Sequence, residues 1–270
     1  MKMNNLSINK LMALLDLPNE IINASNELIK KIDIAKYQFL IDELISKNAS
    51  IETYNKLKEC FPNDNKNIGV LVIELYAMLE SYKKYQEKNL DINIFINTMK
   101  CIKRFLNESK KRYGEYIYDR GWWVYRQLNL SIFRIGDLEY ELINPDEINI
   151  HIPSDALFTK EEVDNSLLEA NKFINIYFKE YKNAKYYCES WLLSPVLKTI
   201  LDDKSNILSF QERFQIIDIN PNNKDYLIWV FNKNEYKTLD ELIETTSLQR
   251  RIKELIKNNI NIGEAKGLLK

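Results

Sequence analysis

The sequence has 270 residues, of which 45% are hydrophobic and 29% are charged, a composition typical of soluble globular proteins. At this length two domains are the better expectation. The 38 basic and 39 acidic side chains nearly cancel, which argues against nucleic-acid binding through bulk charge. The three cysteines are widely spaced without a CxxC pair, so neither a disulfide framework nor a metal site is predicted. Because no apolar run is long enough for a signal peptide or a membrane span, we expect a cytoplasmic protein with no membrane partner.

Residues 1–112 are predicted to form an all-helical domain. Ser7 and Asp91 are suitable N-caps, and Asn19 opens a helix directly after a proline. Apolar residues recur at helical spacing throughout, and the strongest stripe lies at residues 70–79. We expect this stripe to be the centre of a helical bundle that has no catalytic constellation of its own.

From Tyr113 to residue 270 the pattern is mixed α/β. A short aromatic helix is predicted at 122–129, and strands at 132–135 and 138–143 are joined by Gly136-Asp137 as a hairpin. A third short strand precedes Pro153, and Thr159 caps a long amphipathic helix. The remaining predicted elements are a strand at 184–193, a helix from Pro195, strands at 214–219 and 226–231 around the turn 220–223, and a last helix ending at Lys257 before a tail. The predicted fold class is therefore α+β, with the order β-β-β-α-β-α-β-β in the second domain.

Several segments in this order resemble a known bacterial family. They are RIGDLEYE from Arg134, HIPSDA from His151, CESWLL from Cys188, SNILSF from Ser205 and TSLQR from Thr246. The family is acyltransferase-like and pairs a helical N-acyltransferase N-terminal domain with a GNAT-like C-terminal domain. The resemblance implies a central, mostly antiparallel sheet. It also implies transfer of an acyl group from a thioester, with acyl-CoA or acetyl-CoA as co-substrate, to an amine or hydroxyl of a small acceptor.

One departure concerns the donor. Typical GNAT enzymes have a glycine-rich loop before the long helix, whose backbone N–H groups hold the pyrophosphate of acyl-CoA. Here the junction reads HIPSDALFTK and has no glycine. Either Ser154, Thr159 and Lys160 hold the phosphate differently, or the donor is not coenzyme A in its usual pose. An acyl carrier protein is an alternative donor, and a non-catalytic GNAT-like module that binds a ligand or a protein is the alternative function.

His151 is the only histidine and the leading candidate for a general base, since imidazole titrates close to neutral pH. Its alternative role is a hydrogen bond to a loop backbone. On the next strand, Glu189 could orient His151 or pair with a lysine, and Ser190 could protonate a leaving thiolate or bond the backbone. Cys188 could form an acyl-enzyme, although a buried structural cysteine is the commoner outcome. Cysteine-dependent acyl or amide hydrolysis is a weaker third hypothesis, because the histidine and the cysteine would have to approach each other across two strands.

Four residues ahead of the hairpin or within it are candidates for substrate binding. Trp122 and Trp123 could line an acyl or acceptor pocket, or seal a domain junction instead. Arg126 and Arg134 lie among aromatic residues and could clamp a carboxylate or phosphate. They could equally pair with acidic residues of the hairpin.

Overall fold

The structure is a computed structural model and describes residues 6–270. Its contacts group the chain into two compact units, one up to Ile135 and one from Gly136. Helices make up the first unit apart from one short strand, and the second unit contains a mixed sheet with helices. The predicted α+β class is therefore confirmed. The predicted domain boundary between residues 112 and 113 stays a prediction.

The first unit is organised around one long helix. This helix, α5, has 20 residues and is buried along most of its length, from Ile68 to Tyr85. It coincides with the strongest apolar stripe in the sequence, as predicted. Neither α5 nor any other helix within residues 6–270 combines the length and apolarity needed to cross a membrane. The elements are α1 (Ile8–Leu14), α2 (Asn19–Ile29), α3 (Gln38–Leu44), α4 (Ile51–Glu59), α5 (Ile68–Glu87), α6 (Ile92–Met99), α7 (Cys101–Tyr113), α8 (Gly121–Leu128) and β1 (Ile132–Ile135).

Local capping sets several boundaries of these helices. The Ser7 side chain accepts a hydrogen bond from the Lys10 N–H at the start of α1, and Asp91 caps α6 in the same way. Gly114 ends α7 with a left-handed φ of 77°, a conformation that favours glycine. The single helix expected after Asp91 is divided after Met99 into α6 and α7.

The second unit contains a sheet in the order β2-β3-β4-β6-β5. Strand β3 pairs antiparallel with β2 and parallel with β4, whereas β6 pairs antiparallel with both β4 and β5. The sheet is thus mostly antiparallel, as predicted. The elements are β2 (Leu138–Asn144), β3 (Glu147–His151), α9 (Lys160–Tyr177), β4 (Lys185–Ser190), α10 (Asn206–Gln211), β5 (Phe214–Asn220), α11 (Tyr226–Phe231), α12 (Ser247–Lys257) and β6 (Glu264–Leu269).

Helix α9 follows β3 and packs on the apolar face of the sheet. Thr159 caps it by accepting a hydrogen bond from the Glu162 N–H, as predicted. Ser166, buried on this helix, accepts from the Leu138 N–H and lies 2.9 Å from the Tyr140 hydroxyl. Because both partners belong to β2, these bonds fix the helix against that strand.

Two predictions for the end of the chain are wrong. Residues 226–231 form the helix α11 rather than a strand. Their apolar side chains pack in a cluster with α12, and a short apolar run fits a helix or a strand equally well. The strand that pairs with β5 is β6, from the segment expected to be a tail. Gly263, just before it, has a φ of 68°, and a Cβ there would lie 2.6 Å from the Asn220 carbonyl oxygen.

Candidate active site

His151 lies at the carboxyl end of β3 and is paired with a carboxylate of β2. Ile148 and Ile150 are buried on one face, while His151 is half-buried on the other. In register His151 lies opposite Glu139, and its Nε2 is 2.7 Å from Glu141 Oε2, a diagonal neighbour on the same face. The His151 and Glu141 side chains are 23% and 14% exposed, respectively. An ionised carboxylate only accepts, so in the neutral tautomer that makes this bond Nε2 carries the proton and Nδ1 the lone pair.

The strands β3 and β4 part beside this histidine. Their parallel pairing runs from Glu147–Lys185 to Asn149–Tyr187 and ends there. Beyond that point β3 stays paired with β2 as far as His151, and β4 stays paired with β6 as far as Ser190. The ladder between the two parallel strands thus ends before either strand does. We call the region beyond it, with His151 on one side and residues 188–190 on the other, the strand wedge.

Cys188 does not share the face of His151. Because Asn149 pairs with Tyr187, alternation places His151 and Glu189 on one face and Cys188 on the opposite, apolar face. Cys188 is fully buried, and burial, followed by the nearby Glu189 charge, raises the pKa of its thiol. A buried thiol with a raised pKa is a poor nucleophile. The geometry therefore argues against Cys188 as an acyl-enzyme residue and against the cysteine-hydrolase hypothesis.

Of the other two residues predicted on β4, Ser190 makes a hydrogen bond to the backbone, and Glu189 has a register partner on β6. The Ser190 hydroxyl accepts a hydrogen bond from the Leu192 N–H at 3.1 Å, which is the backbone role weighed from the sequence. Glu189 lies directly opposite Lys266 of β6, whose Nζ is 3.5 Å from the carboxylate of Glu147. The carboxylate that bonds His151 is Glu141, so the prediction that Glu189 orients the histidine is not supported.

The junction between β3 and α9 is occupied by an internal carboxylate. Asp137, 7% exposed, accepts hydrogen bonds from the Leu157 N–H at 3.0 Å and the Phe158 N–H at 2.6 Å. The Thr159 hydroxyl accepts from the backbone of α9. Lys160 is exposed, and its carbonyl oxygen accepts from Arg213 at 3.3 Å. Two backbone donors of this junction, the Leu157 and Phe158 N–H groups, therefore already serve a protein carboxylate.

The four residues predicted to bind substrate lie in the first unit. The Arg126 guanidinium lies over the Trp123 ring at 4.2 Å and the Tyr125 ring at 4.6 Å. Trp122 packs edge-on against Trp123 and is 37% exposed. The Arg134 backbone N–H donates to the Thr98 hydroxyl at 3.0 Å. These contacts order the aromatic segment, and a role of the four residues in substrate binding stays a prediction.

Two residues of this site were missed in the sequence, Asp137 and Glu141. Both lie in the RIGDLEYE segment, which was interpreted as a hairpin and a family signature, with its acidic residues as possible partners of Arg126 and Arg134 rather than as site residues. The alternation of Glu139 and Glu141 with apolar residues on β2 is the sequence pattern that could have indicated these carboxylates. It places both carboxylates on one face of a strand next to the one that bears the only histidine.

A mixed sheet with a long helix after β3 and parallel strands that part at their carboxyl ends defines a GNAT-like fold. The family profile described as "GNAT-like C-terminal domain" matches residues 132–269, and that described as "N-acyltransferase N-terminal domain" matches residues 7–130. The chain belongs to this family, which pairs the two domains. The predicted family membership is thereby confirmed.

Solved structures of similar fold are acyltransferases. An acyltransferase mutant in complex with octanoyl-CoA is 19% identical, with a TM-score of 0.78 over 97% of this chain and 87% of that chain. An acyltransferase in complex with decanoyl-CoA and teicoplanin is 18% identical, with a TM-score of 0.68 over 98% and 99% of the two chains. A third, with CoA and 10C-teicoplanin, has 17% identity and a TM-score of 0.67 over the same shares. At these identities the similarity establishes the fold. No curated protein matches the chain.

Proposed function

We propose that the protein transfers an acyl group from a thioester donor to an amine or hydroxyl of a small acceptor. The observation that carries this proposal is the His151–Glu141 pair at the strand wedge, with Nε2 and Oε2 2.7 Å apart. The family adds support, because its two profiles describe an N-acyltransferase and a GNAT-like domain. The similar structures hold acyl-CoA, and some also hold teicoplanin as a small-molecule ligand.

In the proposed reaction the acceptor nitrogen or oxygen attacks the thioester carbonyl carbon. His151 Nδ1 takes the proton of the attacking group, and the Glu141 carboxylate stabilises the imidazolium that forms. The carbon–sulfur bond then breaks, an amide or ester forms, and the thiolate leaves and takes up a proton. Glu141 is a positioning residue in this scheme, since it acts through His151 rather than on the substrate.

Acyl-CoA, including acetyl-CoA, is the donor we favour. An acylated acyl carrier protein is the other thioester to test. The three cysteines are free thiols, a state that the reducing cytosol maintains. We therefore propose a cytosolic reaction that draws on thioesters present there.

The test is acyl transfer from octanoyl-CoA and decanoyl-CoA to a panel of amines and hydroxyl compounds, with products measured by mass spectrometry. His151→Gln should lower kcat by about 100-fold or more, while calorimetry shows unchanged binding of acyl-CoA. Cys188→Ala is the matched control and should stay within about threefold of the wild type, because the thiol is buried away from the histidine. An equal loss of kcat in both variants, or no loss in His151→Gln, would refute the assignment of His151 as the general base.

A non-catalytic binding module is the second candidate. It is favoured by the Asp137 carboxylate, which accepts from both the Leu157 and Phe158 backbone N–H groups where typical GNAT enzymes hold pyrophosphate. A protein that binds thioesters but acylates no acceptor in the panel, at any donor chain length, would support this reading.

A further inference from the structure

Helix α12 has a basic face that the proposed reaction does not use. The exposed residues of the helix recur at helical spacing and are Ser247, Arg250, Arg251, Glu254 and Lys257. Three of these side chains are cations and one is a carboxylate. The opposite face is buried, with Ile252 and Leu255 in the hydrophobic cluster that α12 forms with α11. The amphipathic pattern therefore leaves a face of net positive charge towards solvent.

The two arginines of this face have no carboxylate partner within residues 6–270. Arg251 donates from Nη1 to the Ile200 carbonyl oxygen rather than to an acid. The ion pairs of α12 are made by its lysines, at 3.8 Å each. Arg250 and Arg251 lie close to the amino end of the helix, where positive charge opposes the helix dipole. An acidic partner would offset this repulsion and supply the counter-charge that the described part of the chain does not.

A pocket with an apolar floor lies beside Arg251. It has a volume of about 300 Å³ and is lined by Ile200, Arg251, Glu254, Leu255 and Asn258. Its two apolar residues can receive an apolar side chain, and Arg251 can pair with a carboxylate next to it. A helix with acidic and apolar side chains on one face supplies both groups at once. Nucleic acid offers phosphates without apolar side chains, so the pocket favours an acidic protein.

This pocket is connected to the carboxyl end of β4, beside the strand wedge. Trp191 follows Ser190, the last residue of β4, and packs against the cluster that contains Ile252 and Leu255. From there the chain runs through two short 3₁₀ helices to Ile200, which lines the pocket. Ten residues in that conformation span about 20 Å. The extended phosphopantetheine arm of a carrier protein can bridge a distance of this order.

We propose that the basic face of α12 is the docking surface for an acidic acyl carrier protein, whose arm presents its acyl thioester to His151. This inference rests on the proposed function and adds a protein donor to acyl-CoA. The acyl transfer is the one already described, with the pantetheine thiol of the carrier as leaving group. Acyl carrier proteins are small, acidic and helical, so they match both the charge of the face and its apolar pocket. Docking depends on the arginines, whereas the reaction of free acyl-CoA does not.

The test compares the octanoylated acyl carrier protein of a type II fatty-acid synthase with octanoyl-CoA, by calorimetry and as donors in acyl transfer. The double variant Arg250→Glu/Arg251→Glu should weaken binding of the carrier by about tenfold or more and leave the Kd of octanoyl-CoA within about threefold. Glu254→Gln removes the carboxylate of the face and should strengthen carrier binding about two- to threefold. Such a gain cannot arise from partial unfolding. Lys182→Glu, an equal charge change at an exposed site before the amino end of β4, is the matched control and should alter either Kd by less than about twofold.

The outcomes separate the inference from the proposed function. The inference is overturned if the octanoylated carrier does not bind at millimolar concentration, or if the arginine and Lys182 variants weaken its binding equally. It is also overturned if the arginine variant weakens octanoyl-CoA as much as the carrier, or if the face binds a DNA duplex more tightly than the carrier. Arginine-dependent binding of the carrier without acylation of any acceptor supports the inference and removes the catalytic part of the proposed function. Acyl transfer from octanoyl-CoA without carrier binding has the opposite meaning.

Discussion

Replacing Glu141 tests how much the proposed general base depends on its partner. The Nε2–Oε2 contact of 2.7 Å is short, and both side chains are less than a quarter exposed, so solvent screens the pair only in part. A hydrogen bond to a charged group contributes about 1.5–3 kcal/mol, against about 1 kcal/mol for a neutral one. Glu141→Ala should therefore lower kcat/KM roughly 10- to 150-fold. Glu141→Gln keeps a neutral acceptor and should lower it only about 2- to 30-fold.

The assay is kcat/KM for acyl transfer from octanoyl-CoA, with the donor Kd and the unfolding temperature measured for each variant. Glu147 supplies matched controls, because it lies on the same strand face as His151 but its carboxylate is 3.5 Å from Lys266. Glu147→Gln and Glu147→Ala should stay within about threefold of the wild type. The positioning role of Glu141 is refuted if kcat/KM does not decrease from Glu to Gln to Ala at position 141. It is also refuted if kcat/KM changes in proportion to the unfolding temperature, or if the Glu147 variants lose as much kcat/KM as the Glu141 variants.

Three further predictions concern burial and backbone strain. In the native protein a thiol reagent should label the exposed Cys60 and spare the buried Cys188, as read by peptide mass spectrometry. Burial raises the pKa of Glu74 well above its usual 4.5. The folded state thus keeps a proton that the unfolded chain releases, so the melting temperature should fall as pH rises above about 4.5, and Glu74→Gln should flatten this dependence. Gly263→Ala should cost more stability in urea than Gly114→Ala. Both glycines have positive φ, but a Cβ at Gly263 would lie 2.6 Å from a backbone oxygen, whereas a Cβ at Gly114 would have no atom within 4 Å. Equal losses of unfolding free energy in the two variants would contradict this prediction.

Elements with a clear period and a cap were predictable from the sequence. Helix α9 has Thr159 as N-cap and apolar residues at helical spacing, and its structure begins at Lys160 as predicted. The centre of the helical bundle, α5, was equally clear. In both cases local sequence signals and burial agree, so no long-range information is needed to fix the element.

The end of the chain could not be predicted in the same way. The run YLIWVF at 226–231 favours a strand by composition, but its side chains at spacing 226, 227, 230 and 231 are buried together in one cluster as a helix. The strand β6 has two glycines in or next to it and a weak alternation. It forms because it is placed between β4 and β5, and both neighbours are distant in the sequence. Tertiary packing decides both segments.

The hydrogen-bond partner of His151 was harder to predict from the sequence. It depends on where the pairing of β3 with β4 ends. The sequence suggested Glu189 of β4 as this partner, and the sheet order places β3 between β2 and β4. However, β3 and β4 stop pairing at Asn149 and Tyr187, while β2 stays paired with β3 through His151. The pairing of β2 with β3 thus continues to His151 and brings Glu141 within hydrogen-bond distance of its ring. The proposed base is therefore oriented from β2, the strand that stays paired with β3 there, whereas Glu189 lies opposite Lys266 of β6.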